Sequence, residues 1–221
     1  MQRLFDILFS GVALIILAPI FLVLMLVLKM SGEGEIFFLQ ERIGRDGKRI
    51  KLFKFATMLK NSEYIGTGTV TLYKDPRILP IGGLLRKTKI NELPQLLNIF
   101  KGDMSVIGPR PQAQRCFDAF PEKSKAVIVQ VRPGLSGVGS IIFRDEEKMM
   151  DDHGNADYFY DEVIMPYKAK LEEWYVGNSS LYVYFGLIVL TMWVLILPKS
   201  EIIWKLFKSL PKPPQDLSKV L

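Results

Sequence analysis

An apolar run dominates the start of the chain. Residues 7–28 contain no charged side chain, and Arg3 and Lys29 stand on the two sides of this run. Its length exceeds the roughly 20 apolar residues that a bilayer-spanning helix requires. Pro19 lies inside the run, where it removes a backbone hydrogen bond and predicts a kink. The length of the run, the acidic Asp6 before it and the lack of an A-x-A site after it indicate a membrane helix rather than a cleaved signal peptide.

Basic side chains on both sides of this run predict that both of its ends lie in the cytosol. Arg3 precedes the run, and a dense basic group follows it: Arg42, Arg45, Lys48, Arg49, Lys51 and Lys54. Lysine and arginine accumulate on the cytosolic side of membrane helices. We therefore expect residues 1–30 to form a re-entrant membrane helix hairpin, kinked at Pro19, that enters and leaves one leaflet.

The apolar runs that follow are shorter and alternate with charges. Residues 50–55 alternate between apolar and basic side chains, which is typical of a strand. Apolar residues at helical spacing predict a short amphipathic helix over residues 92–100, with Asn91 as its N-cap and Gly102 at its end. Residues 120–131 predict a second helix between two proline-containing turns.

A second long apolar run covers residues 181–197 and is followed by Pro198. Its 17 residues are marginally short for a bilayer span. The pattern predicts an interfacial helix that continues into an amphipathic helix over residues 202–207, and a second transmembrane helix is the alternative. The Pro-Lys-Pro-Pro segment at residues 211–214 predicts a disordered tail.

Together these patterns predict an α/β fold that is mostly helical. We expect residues 1–30 to form the membrane helix, residues 31–176 a compact cytosolic domain, and residues 177–221 an apolar interfacial or transmembrane segment with a tail. The chain has 221 residues, of which 49% are apolar, and this allows one membrane anchor and one compact domain.

The charge of the chain is distributed unevenly. The formal net charge is +6, but residues 145–173 carry ten of the 23 acidic side chains and only three lysines, so that segment is strongly acidic and the rest strongly basic. A basic surplus fits anionic lipid headgroups, phosphorylated substrates or nucleic acid. No aromatic stacking motif or recognition helix accompanies the charge, so we expect no nucleic-acid partner.

The cysteine and histidine content excludes several kinds of site. Cys116 is the only cysteine and His153 the only histidine. The chain therefore forms no intrachain disulfide and no Cys/His zinc site. A Ser-His-Asp triad or a Cys-His pair has no natural place in it, and we interpret both residues as ordinary packing and loop residues.

Several longer motifs carry a resemblance to a known family. Their residues are Lys54-Phe55-Ala56-Thr57-Met58, Asp75-Pro76-Arg77 before Leu85-Arg86-Lys87-Thr88, Asn91-Glu92-Leu93-Pro94-Gln95, Gly108-Pro109-Arg110-Pro111 and Arg132-Pro133-Gly134. In this order, and together with the apolar helix and its central proline, they resemble the bacterial sugar transferase family of monotopic phosphoglycosyl transferases. The resemblance covers roughly residues 1–180.

The resemblance implies a function. Proteins of this family transfer hexose-1-phosphate or N-acetylhexosamine-1-phosphate from a UDP-sugar to a polyprenyl phosphate such as undecaprenyl phosphate. The reaction releases UMP, uses Mg²⁺ and is the first membrane step of polysaccharide assembly. The resemblance also implies the bacterial inner membrane as the location, with the catalytic domain on the cytosolic face among membrane lipids. A homodimer is a separate expectation that no residue pattern indicates.

The resemblance assigns site residues as well. It implies that Glu92 and Asn91 are the catalytic positions and that Glu92 holds the metal. Substrate contacts are expected from a basic set, and membrane placement from two residues of the N-terminal helix: Lys54, Arg86, Lys87, Arg110 and Arg132 for the substrate, and Arg3 and Pro19 for the membrane.

The chemistry of these side chains is compatible with phosphoryl transfer. Arg86, Lys87 and Arg110 can neutralise phosphate oxygens, and arginine does so through a bidentate fork. Glu92, in the expected first helical turn, can hold Mg²⁺ while waters and substrate phosphates complete the coordination, and the amides of that turn would face an anion. The alternatives are a favourable interaction of Glu92 with the helix dipole, lipid-headgroup pairing of the arginines, and a solvated strand face for Lys54.

The chain departs from the family pattern at the nucleophile. The family has Asp where this chain has Asn91, and that Asp attacks the phosphorus to give a covalent phosphosugar intermediate. An amide is a poor nucleophile. Three explanations stay open: Glu92 or another carboxylate attacks instead, the position was engineered to stop turnover, or the chain is a membrane-bound nucleotide-sugar-binding partner in a glycan-assembly complex. Direct in-line attack by the lipid phosphate is a further route.

Other departures favour a naturally divergent enzyme that is still active. Ala56 stands where the family has Arg, and Val138-Gly139-Ser140 stands where the family has Trp-Ala-Gln. Sugar selectivity is expected in the loops at residues 66–73 and 145–161, whose sequences carry no readable code.

Overall fold

The computed structural model describes residues 1–31, 33–64, 75–144, 146, 149, 156–197 and 202–218, and most of them are helical. The α-helices are α1 Gln2–Met30, α2 Pro80–Lys87, α3 Gln95–Lys101, α4 Gln114–Asp118, α5 Glu122–Ile128, α6 Val138–Ile142, α7 Ala156–Phe159, α8 Met165–Gly177, α9 Leu181–Ile196, α10 Ile202–Leu206 and α11 Gln215–Ser218. Short 3₁₀ turns cover Arg45–Gly47, Ser62–Tyr64 and Ile90–Glu92, and a π-helical turn covers Tyr160–Ile164.

Four short strands form two small sheets. The strands are β1 Phe37–Ile43, β2 Arg49–Phe55, β3 Ser105–Ile107 and β4 Gly134–Ser136. Strands β1 and β2 pair with each other, and β3 pairs with β4 in parallel. The mostly helical character predicted from the pattern is confirmed, and the strand predicted at residues 50–55 is β2.

The chain divides into two compact units. Unit 1 comprises Met1–Asp6, Arg42–Ile50 and Gly102–Leu221, and unit 2 comprises Ile7–Glu41 and Lys51–Lys101. The predicted division at residues 30 and 176 was drawn from the apolar runs of the sequence, whereas these units reflect contacts within the fold. That division stays a prediction.

Helix α1 is a single helix of 29 residues that continues through Pro19. It is long and apolar enough to cross a membrane, and few of its residues are buried. Within this helix only Asp6, Ser10 and Leu28 are buried. The apolar helix expected at the start of the chain is therefore present, whereas the re-entrant hairpin stays a prediction.

The core of unit 2 forms around strand β2. Phe55 at the end of this strand is buried with Leu28 and Leu85, and Phe21 packs edge-on against the Phe55 ring. Leu79 donates its backbone N–H to the carbonyl of Thr57 at 2.9 Å. Leu52 and Phe55 of β2 are buried, whereas Lys51 is exposed and Lys54 is half-buried.

The helix predicted over residues 92–100 begins later than expected, and Asn91 does not cap it. Asn91 lies inside the 3₁₀ turn Ile90–Glu92, whose own N-cap is Lys89 in the left-handed conformation with φ 59°. Helix α3 begins only after Pro94, which has no backbone N–H to offer and therefore suits a helix start. Glu92 accordingly precedes α3 instead of occupying its first turn. Gly102, with φ 103°, ends the helix as predicted.

The core of unit 1 is built from α6, α8 and α9. Val138, Leu171 and Leu187, one from each helix, are completely buried in one apolar cluster. The second apolar run is therefore helical, as expected, and one of its faces is packed inside the protein while large apolar residues of the other face are exposed. Its interfacial or transmembrane placement stays a prediction. The helix expected at residues 120–131 is the shorter α5.

The expectation of a disordered C-terminal tail is wrong for the described residues 209–218. Leu210 and Leu217 are buried in the core of unit 1. The Tyr167 hydroxyl donates to the carbonyl of Pro211 at 2.8 Å. The proline-rich composition gave no sign of these two buried leucines, and the Tyr167 bond ties the segment to α8.

Strands β3 and β4 approach each other so closely that only glycine fits at their junction. A Cβ on Gly134 would overlap the backbone of Gly108, and a Cβ on Gly137 would overlap the Gly108 carbonyl. The Gly108 N–H donates to Ser136 O at 3.0 Å, and the Gly134 N–H donates to Pro109 O at 2.8 Å. These contacts hold the turn at residues 108–111 against β4.

Asp6, at the start of α1, is buried in unit 1. Its Oδ1 accepts hydrogen bonds from the Ser105 hydroxyl, the Val106 backbone N–H and the Tyr184 hydroxyl, each at 2.9 Å. Gln2, one turn earlier, donates to Ser105 Oγ at 2.8 Å. The first turns of the apolar helix are thus fastened to β3 and α9.

Replacement of Asp6 by Ala is expected to destabilise the protein, because it leaves buried donors without an acceptor. Each orphaned donor costs about 1–3 kcal/mol. An Asp6→Asn variant keeps one acceptor oxygen and should lose less. Thermal unfolding of the detergent-solubilised protein checks this order, and equal melting temperatures for Asp6→Ala and wild type would contradict it.

A buried carboxylate accepts a backbone hydrogen bond from the turn at residues 108–111. Glu172 in α8 accepts the backbone N–H of Arg110 on Oε1 at 3.3 Å, and its Oε2 has no hydrogen-bond partner among the described residues. Burial raises the pKa of Glu172 to about 7, although the Arg110 N–H and the charges of Lys168 and Arg110 act in the opposite direction. Lys168 is itself buried and pairs with Glu146 at 2.7 Å.

This raised pKa makes the stability of the protein depend on pH. The folded state holds the Glu172 proton more tightly than the unfolded state, so this contribution lowers the free energy of unfolding as pH rises from about 4.5 to about 7, by about 3 kcal/mol in total. A Glu172→Gln variant should therefore lose less stability than wild type between about pH 5 and about pH 8.

Thermal unfolding across this pH range measures the effect. Glu173→Gln, which removes a partly exposed carboxylate from the neighbouring position, is the matched control and should follow wild type. Parallel pH profiles for wild type and Glu172→Gln would be inconsistent with a raised Glu172 pKa.

Candidate active site

The structure brings Lys54 and Glu92 together in unit 2. Lys54 lies in β2 and Glu92 ends the 3₁₀ turn before α3. Lys54 Nζ lies 3.7 Å from Glu92 Oε1, and each side chain is 16% exposed. This distance is too long for a strong hydrogen bond, but the two charged side chains form an ion pair in a partly desolvated position. The sequence predicted both residues for the site but not their pairing, because they come from separate elements.

Asn91 is buried beside this pair in the chain. Its Oδ1 has no hydrogen-bond partner among the described residues. A buried carboxamide oxygen without a donor is costly in a folded protein, so such atoms are rare and need a reason. A donor or cation supplied by a bound substrate would satisfy this oxygen.

Arg86 and Lys87 end α2, close in the chain to the same turn. Arg86 is half-buried and its Nη1 lies 3.9 Å from the sulfur of Met58, whereas Lys87 is exposed. Thr88 caps the helix by donating its hydroxyl to Leu84 O at 2.8 Å. The predicted site residues of unit 2 therefore lie on β2, on the end of α2 and on the 3₁₀ turn.

Asp75 and Arg77 form a buried ion pair that sequence reasoning did not assign. Arg77 Nε donates to Asp75 Oδ1 at 2.8 Å, and Nη2 donates to Oδ2 at 2.5 Å, in a bidentate arrangement. Arg77 Nη1 also donates to Ser62 O at 2.7 Å. The Asp-x-Arg spacing could have indicated this ion pair, since a carboxylate two residues before an arginine can accept both N–H groups of its fork. The pair fixes the segment that leads into α2.

Arg110 and Arg132 belong to unit 1. Arg110 lies in the turn after β3, where Glu172 accepts its backbone N–H. Arg132 Nε donates to the carbonyl of Gly102 at 2.8 Å. Arg132 therefore has a structural contact, and its role toward substrate stays a prediction, as does that of Arg110.

A magnesium ion would have few protein ligands here. The described parts of the chain contain no group of three or more His, Cys, Asp or Glu side chains. Mg²⁺ is commonly held by one or two protein oxygens while waters and substrate phosphates supply the rest. The Glu92 carboxylate with the unpartnered Asn91 Oδ1 fits that mode of binding.

Two expected elements fall outside the described residues. The predicted sugar-selecting loop at residues 66–73 is one of them, and so is most of the loop at residues 145–161, including His153. The expected sugar selectivity therefore stays a prediction.

Comparison with known proteins places the chain among sugar transferases. The family model described as bacterial sugar transferase matches residues 1–198. The exopolysaccharide production protein ExoY of Rhizobium meliloti (strain 1021) is 35% identical over 159 residues, which cover 66% of this chain and 70% of the relative.

Two further relatives have names that state an activity. The UDP-glucose:undecaprenyl-phosphate glucose-1-phosphate transferase of Escherichia coli (strain K12) is 33% identical over 64% of this chain and 31% of the relative. A protein named putative undecaprenyl-phosphate N-acetylgalactosaminyl 1-phosphate transferase of Bacillus subtilis (strain 168) is 42% identical over 50% of this chain and 62% of the relative. With the family match over most of its length, the chain belongs to the bacterial sugar transferase family.

Proposed function

We propose that the protein transfers a sugar-1-phosphate from a UDP-sugar to undecaprenyl phosphate and releases UMP. The observation that carries this proposal is the Lys54–Glu92 ion pair beside Asn91, whose buried Oδ1 has no hydrogen-bond partner among the described residues. Asn91 and Glu92 stand at the positions where the family motif has its catalytic residues. The names of the relatives support the undecaprenyl phosphate acceptor and the transfer of a sugar-1-phosphate.

The basic side chains suit a reaction between two phosphorylated substrates. Donor and acceptor are both anionic, so their approach requires neutralisation of phosphate oxygens. Lys54 and the half-buried Arg86 offer this in unit 2. The role of Arg110 of unit 1 toward substrate stays a prediction. Arginine binds phosphate through two parallel N–H bonds, which also orients the phosphate.

The membrane helix has a role in this reaction. A polyprenyl phosphate stays in the bilayer, so the enzyme has to work at the headgroup layer. The exposed apolar surface of α1 would hold the protein there, and the encounter with the acceptor becomes a search in two dimensions with restricted orientation. We place the protein in the bacterial inner membrane with the site on the cytosolic side, where nucleotide sugars are made.

Glu92 and the oxygen of Asn91 would hold Mg²⁺ with the donor's phosphates. When bound, the ion supplies charge neutralisation for the leaving UMP. Lys54 holds the Glu92 carboxylate in place through their ion pair at 3.7 Å.

The route of transfer follows from the residue at position 91. The Asn91 amide does not attack phosphorus, and Glu92 would hold the metal. We therefore favour direct in-line transfer. In this route an oxygen of the lipid phosphate forms a bond to the sugar-bearing phosphorus of the donor, the bond from that phosphorus to the bridging oxygen breaks, and UMP leaves with the electron pair.

A Glu92→Gln variant should lose at least about 100-fold in product formation, because it removes the carboxylate that pairs with Lys54 and holds the metal. The assay measures UMP release and lipid-linked product from a panel of UDP-sugars with Mg²⁺ and undecaprenyl phosphate. Glu122→Gln, which removes an exposed surface carboxylate, is the control and should match wild type. Full activity in Glu92→Gln would remove Glu92 from the mechanism.

Exchange of labelled UMP into the UDP-sugar without lipid separates the two routes. Direct transfer predicts no exchange in an active wild-type preparation, because UMP leaves only when the acceptor attacks. An Asn91→Asp variant restores the carboxylate of the family motif and should gain exchange. Exchange in wild type that Glu92→Gln abolishes would instead establish Glu92 as the nucleophile.

A second candidate function is favoured by Asn91 itself. A chain without the family's nucleophile could bind a nucleotide sugar in a glycan-assembly complex without transferring it. In that case wild type would bind UDP-sugar but release no UMP from any donor, and the Asn91→Asp variant would be the first to form lipid-linked product.

A further inference from the structure

Asn98 in α3 makes two hydrogen bonds to the backbone of β2. The residue is completely buried. Its Oδ1 accepts the backbone N–H of Phe53 at 2.9 Å, and its Nδ2 donates to the carbonyl of Lys51 at 2.8 Å. One carboxamide thus pairs with a backbone N–H and a backbone carbonyl of β2, as a neighbouring strand would.

These bonds connect the two elements that carry the ion pair. Lys54 directly follows Phe53 in β2, and only Leu93 and Pro94 separate Glu92 from α3. The distance from Lys54 Nζ to Glu92 Oε1 therefore depends on how α3 and β2 are held against each other. Side-chain packing alone can slide, whereas two hydrogen bonds of opposite polarity fix one register along the strand.

Only an amide of this length provides both bonds. Aspartate offers acceptor oxygens to Phe53 but repels the carbonyl of Lys51, and alanine offers neither group. Either replacement leaves at least one buried backbone group of β2 without a partner, so the strand would shift or take up water.

We propose that Asn98 is a positioning residue for phosphoryl transfer, which sets the distance between Lys54 and Glu92 by fixing the register of α3 on β2. This inference rests on the proposed function. Asn98 touches no reacting atom and acts through Lys54, since its two bonds hold the backbone of β2 directly before the position that presents the ammonium to Glu92.

A double-mutant cycle with Lys54 tests the proposal. Asn98→Ala should lower kcat by about 10- to 100-fold while KM for the UDP-sugar changes little, because small misplacements of catalytic groups have effects of this size. Asn98→Asp, which keeps one bond, should lie between Asn98→Ala and wild type. In a Lys54→Ala background, Asn98→Ala should add less than about threefold, because the group that it positions is already absent.

The control is Asn178→Ala. Asn178 is an exposed amide that donates to Trp174 O at 2.8 Å, far along the chain from the site. Thermal unfolding of every variant separates a loss of the fold from a misplaced Lys54 ammonium. If Asn98→Ala does not fold, Asn98→Asp replaces it in the comparison. Fully multiplicative losses in Asn98→Ala and Lys54→Ala, or normal kcat in Asn98→Ala, would overturn the proposal.

A readout that needs no turnover keeps the inference separate from the proposed function. Reductive methylation of Lys54, measured by peptide mass spectrometry, reports how firmly the ammonium is held by Glu92. Its rate should rise severalfold in Asn98→Ala and in Glu92→Gln, but not in Asn178→Ala. An unchanged rate in Asn98→Ala would overturn the positioning role, whereas inactive wild type with the expected labelling pattern would overturn only the transferase proposal.

Discussion

The backbone contact between Gly108 and Gly134 is the constraint on which unit 1 depends. At this junction two chain segments touch without any side chain between them, and hydrogen bonds on both sides hold them in one register. A Cβ at either position would force the strands apart. The arginines at positions 110 and 132 follow and precede these glycines, so the junction fixes the course of the backbone that presents both.

In unit 2, pairs of charged side chains hold the backbone segments together. The Lys54–Glu92 pair joins a strand and a 3₁₀ turn, and the bidentate Asp75–Arg77 pair fixes the segment that leads to α2. Ion pairs of this kind are costly to desolvate, and a bidentate pair recovers more of the cost than a single contact. The contrast suits their roles, because the looser pair is the one that would exchange its partners for substrate phosphates and metal.

Local patterns were enough to predict β2, the end of α3 at Gly102 and the apolar helix α1, because each depends on a few neighbouring residues. The N-cap at Asn91 was wrong for a physical reason. Lys89 is in the left-handed conformation and Pro94 has no backbone N–H, and together they move the helix start to Gln95. The local preference for Asn as an N-cap takes no account of these two neighbours. The bonds of Asn98 and the pairing of Lys54 with Glu92 join elements far apart in the chain, so no local pattern reveals them.

The carboxylate of Asp6 also sets an order of events during synthesis. Its partner Ser105 lies 99 residues later in the chain, and Tyr184 lies 178 residues later. The apolar helix leaves the ribosome and meets the bilayer long before α9 exists. The bonds from Ser105 and Val106 can therefore form before the bond from Tyr184, which waits until α9 has been made. A truncated chain that stops before α9 would keep its membrane helix but leave this acid without the Tyr184 hydroxyl.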